Sequence, residues 1–467
     1  MEETAEMTKS RSINTRELAL QILLKVLEEG EYTSTVIPSV LKNYQYLEKN
    51  ERAFLTRLCE GTIERMLELD YILNQFSKVK TKKMKPVIRN ILRMSVYQMK
   101  YMNQVPDSAA CNEAVKLVRK KGFSGLAGFV NGVLRNISRN MNSIEYPKEE
   151  KEPEKYLSIC FSMPEWIIEM WITDYGYETT KTMLEAGMKE RPVVIRCNTR
   201  KVSMDDLVKS LEREGVKVET AEYVNSALKI SGYDYLERLD SFQKGWFTVQ
   251  DQSSMLVSLV GDIKEGYQII DVCAAPGGKS LHAAELLQET GKVSARDLTL
   301  SKISRIEENS RRLGINNLET KIWDARILEE ERIESADIVF ADLPCSGLGV
   351  IGKKNDIKYK ITKEGIDSLA KLQREILLTA KEYVKPEGIL IYSTCTVNTL
   401  ENEENVKWFC EQGDFVLESL EPYLPKVLWN EHTKDGYLQL LPGIVKTDGF
   451  FLARFRKKGG KSKEEES

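Results

Sequence analysis

The chain has 467 residues, 42% hydrophobic and 30% charged, which is material for ordinary buried cores and about three domains. Its two histidines, His282 and His432, argue against a histidine-built metal site or a His-dependent triad. Its eight cysteines are scattered without a C-x-x-C pair, so neither a disulfide framework nor a zinc ribbon is encoded. Met1 to Arg11 is acidic and polar, and no run approaches the ~18 apolar residues of a membrane span. The expectation is a cytoplasmic protein with no membrane partner and no metal, whose chemistry comes from Cys, Asp, Lys or a bound cofactor.

Net charge is -3, but it is spread unevenly. Between Asp70 and Asn140, 14 Lys and Arg stand against 3 Asp and Glu. A block this lopsided is either a solvated face or the footprint of a polyanion partner.

From Asn14 to about Ile137 the apolar spacing is helical. Thr15 to Leu27 places Leu18, Ile22 and Val26 on one face, with Gly30 as a stop signal. Arg52 to Leu73, Val87 to Met102 and Ser108 to Lys121 repeat the pattern, and Pro86 and Pro106 fall at helix starts. An all-helical bundle is predicted over residues 12–140, with a polar linker at 141–155. Residues 156–240 read as a small α+β segment. Helices are expected at Pro164–Tyr175, Glu178–Met188 and Ser203–Glu214, with strands at Val193–Cys197 and Val216–Val218.

Over residues 241–457 the alternation becomes regular. Apolar strands are predicted at Tyr267–Val272, Val293–Ala295, Thr320–Trp323, Asp337–Ala341 and Ile389–Ser393, the pattern of a doubly wound α/β sheet. Residues 458–467 read as a disordered charged tail. Ligands of such sheets sit beyond the carboxyl ends of the strands, so the residues just after each strand carry the functional argument.

The first of these strands ends in Asp271-Val272-Cys273-Ala274-Ala275-Pro276-Gly277-Gly278-Lys279-Ser280. A nicotinamide-binding G-x-G-x-x-G is absent. A P-loop is a near miss, since Gly278-Lys279-Ser280 fits its end while Cys273 occupies the first glycine position. Ile338 to Asp342 could pass for a Walker B strand. The third reading is a site for S-adenosylmethionine, which carries an adenosine and a cationic sulfonium but no pyrophosphate. Asp297 ends the second strand, where a carboxylate can accept from ribose hydroxyls. Asp324 ends the third and can face the adenine, and Asp342 ends the fourth. Carboxylates at consecutive strand ends repel phosphates and suit a cationic cofactor; the alternative is that they only cap turns.

Two cysteines share this strand-end placement, Cys345 in Asp342-Leu343-Pro344-Cys345-Ser346-Gly347 and Cys395 in Ser393-Thr394-Cys395-Thr396. A cysteine before a helix N-terminus is a plausible nucleophile, whereas Cys59, Cys111, Cys160, Cys197 and Cys410 read as small buried hydrophobes. Beside a methyl donor, a thiolate has a defined use. Its addition to carbon 6 of a pyrimidine makes carbon 5 nucleophilic, and a carboxylate near N3, here Asp342, can hold the proton that activates cytosine. These residues alone favour neither cysteine.

Residues from about Trp246 to Lys458 resemble the RNA 5-methylcytosine methyltransferases of the Nop2/Sun/Fmu family. The resemblance rests on Asp271–Ser280, Asp342–Gly349, Pro386-Glu387-Gly388, Ser393–Thr396 and Asp448-Gly449-Phe450-Phe451-Leu452-Ala453. The helical region resembles the NusB antitermination family through Leu92–Tyr97, Val105-Pro106-Asp107, Asn112–Val115 and Phe129–Leu134. The combination implies a NusB-like bundle, an RRM-like or ferredoxin-like middle segment and a Rossmann-like methyltransferase domain. It further implies S-adenosylmethionine as cofactor and carbon 5 of a cytosine in small-subunit (16S) ribosomal RNA as target, with the protein acting as a monomer.

By that resemblance Cys273, Ala274, Ala275, Pro276, Gly277, Gly278 and Lys279 line the cofactor pocket, with Asp297, Asp324 and Asp342 as further contacts. Cys395 is the implied nucleophile and Cys345 the assistant in product release. The chain departs from the family with Leu343 for the usual Ala. It also has Gly352-Lys353-Lys354-Asn355-Asp356 where Arg-Arg-His-Pro-Asp is usual, which bears on substrate contacts in that loop. Readings of other classes are an RNA-binding antitermination or assembly factor with an inert catalytic domain, and a P-loop-like NTPase.

Overall fold

A computed structural model describes residues 14–44, 46–189 and 191–459; the acidic start and most of the charged tail lie outside them. The chain divides into two compact units, one made of 1–181 with Lys353–Lys360 and the other of the rest.

The first unit is helical. Helices span Thr15–Leu27, Thr33–Asn43, Lys49–Glu64, Met66–Phe76, Pro86–Tyr101, Asp107–Lys120 and Ala127–Arg139, followed by Pro153–Cys160 and Glu165–Tyr175. Asn14 caps the first by accepting from the Arg16 N–H, and Pro86 opens Pro86–Tyr101, where its missing N–H costs nothing. The Pro86–Tyr101 helix is central, burying Ile88, Ile91, Leu92, Met94 and Val96 against Leu18, Ile22, Leu55, Leu58, Ile72 and Leu134. Each such side chain contributes about 1.5–3 kcal/mol on burial.

Two differences from the sequence reading have physical causes. Arg52 to Leu73 is not one helix: the chain breaks at Arg65, whose guanidinium donates to the Cys160 carbonyl at 3.0 Å and lies over the Tyr101 ring. Thr33–Asn43 was not foreseen as a helix of its own, because it contains Pro38 and its cap comes from far along the chain. Asp356 accepts from the Thr33 hydroxyl at 2.6 Å and from the Thr33 N–H at 3.2 Å.

Three residues that follow Asp356 also bond within this unit. Lys360 donates to Asp356 and to the Glu31 carbonyl, and the buried Lys358 donates to the Glu64 carbonyl at 2.9 Å, its pKa lowered by burial. Tyr359 donates to the same carbonyl. Asp356, the residue of Gly352–Asp356 that keeps the family pattern, thus joins Lys358, Tyr359 and Lys360 in stapling the helical unit.

The basic block separates into two kinds of charge. Arg93 pairs with Asp70, Arg89 with Glu28, Lys116 with Glu113, and Lys120 and Lys121 with Glu17. Lys82 and Lys83, on the turn Thr81–Lys83, are exposed, as is Lys85, whose ammonium lies over the Phe123 ring.

The second unit holds two sheets. In the smaller, β1 (Val193–Cys197), β2 (Lys217–Thr220), β3 (Ala227–Ser231) and β4 (Phe247–Val249) run antiparallel in the order β2-β3-β1-β4. The helix Met204–Arg213 closes its core, with Leu207 and Leu211 against Ile195, Leu228, Ile230 and Phe247.

The larger sheet comprises β5 (Gln268–Asp271), β6 (Lys292–Asp297), β7 (Leu318–Ile322), β8 (Ala336–Asp342), β9 (Val384–Thr394), β10 (Phe415–Leu417), β11 (Tyr437–Leu440) and β12 (Phe450–Lys457). Its order is β10-β12-β9-β8-β5-β6-β7, with β11 also paired to β12. The strands from β7 across to β9 are parallel, as the apolar runs predict. β12 then lies antiparallel to β9, with β10 and β11 antiparallel to β12, so the sheet is mixed. Among the described residues no helix is long and apolar enough to cross a membrane, and no group of three His, Cys, Asp or Glu is placed to hold a metal ion.

Candidate active site

The turn after β5 is built by its own side chains. Asp271, fully buried, accepts from Ser280 Oγ at 2.5 Å and from the Cys273 N–H at 3.3 Å, joining the two ends of the turn. Burial pushes its pKa up to about 7. Gly277 sits at φ +105°, the left-handed region, and leads into the helix Gly278–Leu286. A Cβ there would also crowd Leu281 and Ile306. The Ala274 N–H donates to the Arg296 carbonyl at 2.8 Å, pressing the turn onto the end of β6.

Asp297 completes that contact. Its carboxylate, 5% exposed, accepts from the Ala275 N–H at 3.0 Å, the Leu298 N–H at 2.7 Å and Lys302 Nζ at 2.8 Å. Asp324 follows β7 by two residues, and bonds from the Arg326 side chain and N–H hold its pKa below the usual carboxylate range. Leu298 and Ile322 are 57% and 50% exposed, an apolar surface at the same end of β6 and β7.

This donor set fits S-adenosylmethionine better than a phosphate. Lys279 does not point into the turn as a P-loop lysine would. Its ammonium lies 2.6 Å from Asp342 Oδ2 and over the Phe450 ring. Four carboxylates, Asp271, Asp297, Asp324 and Asp342, ring the strand ends, and three of them are paired with cations, Asp297 with Lys302, Asp324 with Arg326 and Asp342 with Lys279. Cys273 is part of the turn, with its thiol pKa raised by burial and by the neighbouring aspartates.

The two strand-end cysteines meet. β8 and β9 run parallel with Asp342 opposite Ser393; Ser393 Oγ donates to Asp342 Oδ1 at 2.8 Å and the Leu343 N–H to the Ser393 carbonyl at 3.0 Å. The chains leave the sheet side by side, and Cys345 Sγ lies 3.3 Å from Cys395 Sγ. The thiol–thiol contact and burial raise the pKa of Cys345.

Two glycines make this approach feasible. The Gly349 N–H donates to the Cys395 carbonyl at 3.1 Å and the Gly449 N–H to the Gly349 carbonyl at 2.9 Å. A Cβ on Gly349 would fall 2.1 Å from the Gly449 carbonyl oxygen and 2.8 Å from that of Cys395. The Asp448–Ala453 motif thus meets the Pro-Cys motif through backbone at Gly449 and Gly349.

The sequence reading missed the residues behind the thiols. Glu401 is fully buried and accepts from the Ser346 N–H and from Gln373 Nε2, both at 2.9 Å, and from Ser346 Oγ. Ser346 Oγ also lies 2.6 Å from Thr396 Oγ1. Gln373 donates to the Pro344 carbonyl at 2.8 Å, and Asn405 donates to Gln373 Oε1. The available signal was that Ser346 and Thr396 each directly follow a candidate cysteine; Glu401 carried none.

Three segments of the chain match known families. Residues 258–456 match the family described as 16S rRNA methyltransferase RsmB/F, residues 13–139 the NusB family and residues 163–234 the RsmF/B-like ferredoxin-like domain. Probable ribosomal RNA small subunit methyltransferase B of Bacillus subtilis is 37% identical over 463 residues, covering 96% of this chain and 100% of that protein. The protein with that name from Synechocystis is 32% identical over 451 residues, covering 95% and 100%.

Among solved structures, PH0851 is similar over 96% of this chain and 99% of its own, with a TM-score of 0.80 and 27% identity. NSun6 from Pyrococcus horikoshii, solved with the S-adenosylmethionine analogue SFG, covers 62% of this chain and 97% of its own at a TM-score of 0.56 and 25% identity. S-adenosylmethionine is the cofactor of these enzymes. The chain belongs to the 16S rRNA methyltransferase RsmB/F family.

Proposed function

We propose that the protein methylates carbon 5 of a cytosine in small-subunit ribosomal RNA through a covalent adduct between Cys395 and carbon 6 of the base. The observation that carries this reading is the pair of thiols 3.3 Å apart beside Asp342, at the ends of two adjacent parallel strands. S-adenosylmethionine, when bound, supplies a methyl group on a cationic sulfur. Residues Cys273 to Lys279 form the turn that would hold it, with Asp297 toward the ribose, Asp324 toward the adenine beside Leu298 and Ile322, and Asp342 facing the reacting end.

The protein's own groups account for the remaining steps. Cys395, as thiolate, forms a bond to carbon 6 and pushes the ring electrons toward carbon 5. Asp342 holds a proton at N3 that stabilises the charge thus displaced. Carbon 5 takes the methyl group. Loss of the carbon 5 proton, assisted by Cys345, restores the ring double bond and breaks the sulfur–carbon 6 bond.

The base must leave its RNA stack to reach the thiols, and the helical domain supplies phosphate contacts that position the strand. With ribosomal RNA as its partner the protein works in the cytoplasm, as a monomer. Bisulfite sequencing of ribosomal RNA from a deletion strain tests the reading. One methylcytosine of the small subunit should disappear and return with the wild-type chain but not with Cys395→Ala. An unchanged methylcytosine pattern in the deletion strain rejects the assignment.

A further inference from the structure

We infer that Glu401 is a positioning residue that sets the separation of the two thiols by holding the residue that follows each of them. The inference deepens the cytosine-methylation reading and rests on it for its catalytic consequence. The two cysteines lie on separate loops, 50 positions apart in sequence, with no covalent tie between them. Ser346, next to Cys345, gives Glu401 both its N–H, at 2.9 Å, and its hydroxyl. Thr396, next to Cys395, meets that same hydroxyl at 2.6 Å and accepts from the Leu348 N–H at 3.3 Å. Gln373 ties the carboxylate to the Pro344 carbonyl, on the other side of Cys345. One carboxylate thus holds both loops from behind.

The chemistry of the site says why a carboxylate stands here. Burying one is costly unless several donors compensate it, and the Ser346 N–H and hydroxyl, the Gln373 NH₂ and the Thr396 side chain converge on Glu401, which carries four acceptor positions. The Ser346 N–H and the Gln373 NH₂ both donate to Oε2 and the Ser346 hydroxyl to Oε1, so a glutamine that keeps its oxygen at the first position puts an NH₂ at the second, which can no longer accept from that hydroxyl. Burial raises the carboxyl pKa, and the bonds from Ser346 and Gln373 act against that rise. Each thiol must be held in line with its own ring atom, and a 1 Å displacement of a reacting group costs roughly 100-fold in rate.

The test uses the full-length chain and a readout that needs no RNA. Hydrogen peroxide oxidises one thiol to a sulfenic acid, leaving one water, and the second thiol then closes the disulfide, leaving another. In peroxide high enough that the bridging rate no longer depends on its concentration, the closing step is followed, and that step depends on proximity. Peptide mapping follows the Cys345–Cys395 bridge with time, with Cys395→Ala as the blank. Glu401→Gln should slow bridging by at least ~10-fold and lower kcat for methyl transfer comparably, with S-adenosylmethionine affinity within about two-fold of wild type. Glu401→Asp, which keeps the charge on a shorter arm, should fall between.

If Glu401→Gln does not fold, Ser346→Ala removes the shared hydroxyl while leaving the carboxylate its N–H and Gln373 donors, and should also slow bridging. Bridging at the wild-type rate in the folded variant overturns the inference. Slowed bridging in a protein that methylates no cytosine leaves the positioning role standing and rejects the cytosine reading instead.

Discussion

Lys279 Nζ lies 2.6 Å from Asp342 Oδ2, so the lysine that would cradle a phosphate is committed to the carboxylate at the end of β8. The family match decides between the two nucleotide readings of the Asp271–Ser280 turn, and the pairing gives this lysine a partner within the protein. S-adenosylmethionine at a hundred times its Kd should raise the stability of the native state by about 2.7 kcal/mol, whereas ATP at the same concentration should leave the melting temperature unchanged. Differential scanning with each ligand makes the comparison. Stabilisation by ATP alone would reinstate the P-loop assignment.

Asp297 predicts a loss in two parts. Its carboxylate takes hydrogen bonds from the Ala275 and Leu298 N–H groups and from Lys302, so it shapes the turn as well as offering an acceptor to a ribose. Asp297→Ala should weaken S-adenosylmethionine binding by about 1–3 kcal/mol, measured by titration calorimetry. Wild-type affinity in that variant would place the ribose elsewhere.

Which parts of this were legible in the sequence follows from how locally each is determined. The parallel strands β5, β6, β7, β8 and β9 stand out because short apolar runs alternate with helical periods, and Val193–Cys197 is found at its predicted bounds. β12 escaped the reading, although Phe450 to Ala453 carried the family resemblance. It is buried along most of its length and so lacks the alternation that marks a half-buried strand. The helix break at Arg65 and the Asp356 cap on Thr33 depend on partners far along the chain, which no window of sequence contains. The same distinction divides the site. Cys345, Cys395 and Asp342 could be named because strand-end position has meaning in this fold, while Glu401 acquires its role only when Ser346, 55 positions away, folds against it.

Gly349 supplies a stability test of the junction between motifs. A methyl group there would meet the Gly449 and Cys395 carbonyl oxygens well inside van der Waals distance, and both are backbone atoms that cannot rotate away. Gly349→Ala should cost at least about 1–3 kcal/mol, the usual range for overpacking. The loss would be read from urea unfolding, with Gly128→Ala as a control, since that glycine has open space around it. Equal midpoints for the two variants would contradict the contact.

The helical unit makes a separate prediction about RNA. Most acidic partners in the basic block serve Arg89, Arg93, Lys116, Lys120 and Lys121, which leaves Lys82, Lys83 and Lys85 among its exposed cations. Each phosphate they neutralise should steepen the log–log salt dependence of RNA affinity by roughly 0.7–0.9. Reversing all three charges should flatten that slope and leave S-adenosylmethionine affinity unchanged. An unaltered slope would mean that these lysines only solvate a face.

The two thiols, only 3.3 Å apart, make the sharpest prediction because the roles assigned to them fail differently. If Cys395 adds to carbon 6, Cys395→Ala removes the nucleophile, so neither methylated RNA nor a covalent complex should form. If Cys345 assists elimination, Cys345→Ala still permits attack and methyl transfer but stalls the breaking of the sulfur–carbon bond. That variant should accumulate a protein–RNA adduct that survives denaturing electrophoresis, and only when S-adenosylmethionine is present. A nucleophile in the Pro-Cys loop predicts the mirror image, with the adduct trapped in Cys395→Ala. Near-normal turnover by both variants would remove the cysteines from the chemistry altogether. An adduct in Cys345→Ala that forms without S-adenosylmethionine would show that attack does not wait on the methyl donor and that the trapped species is unmethylated.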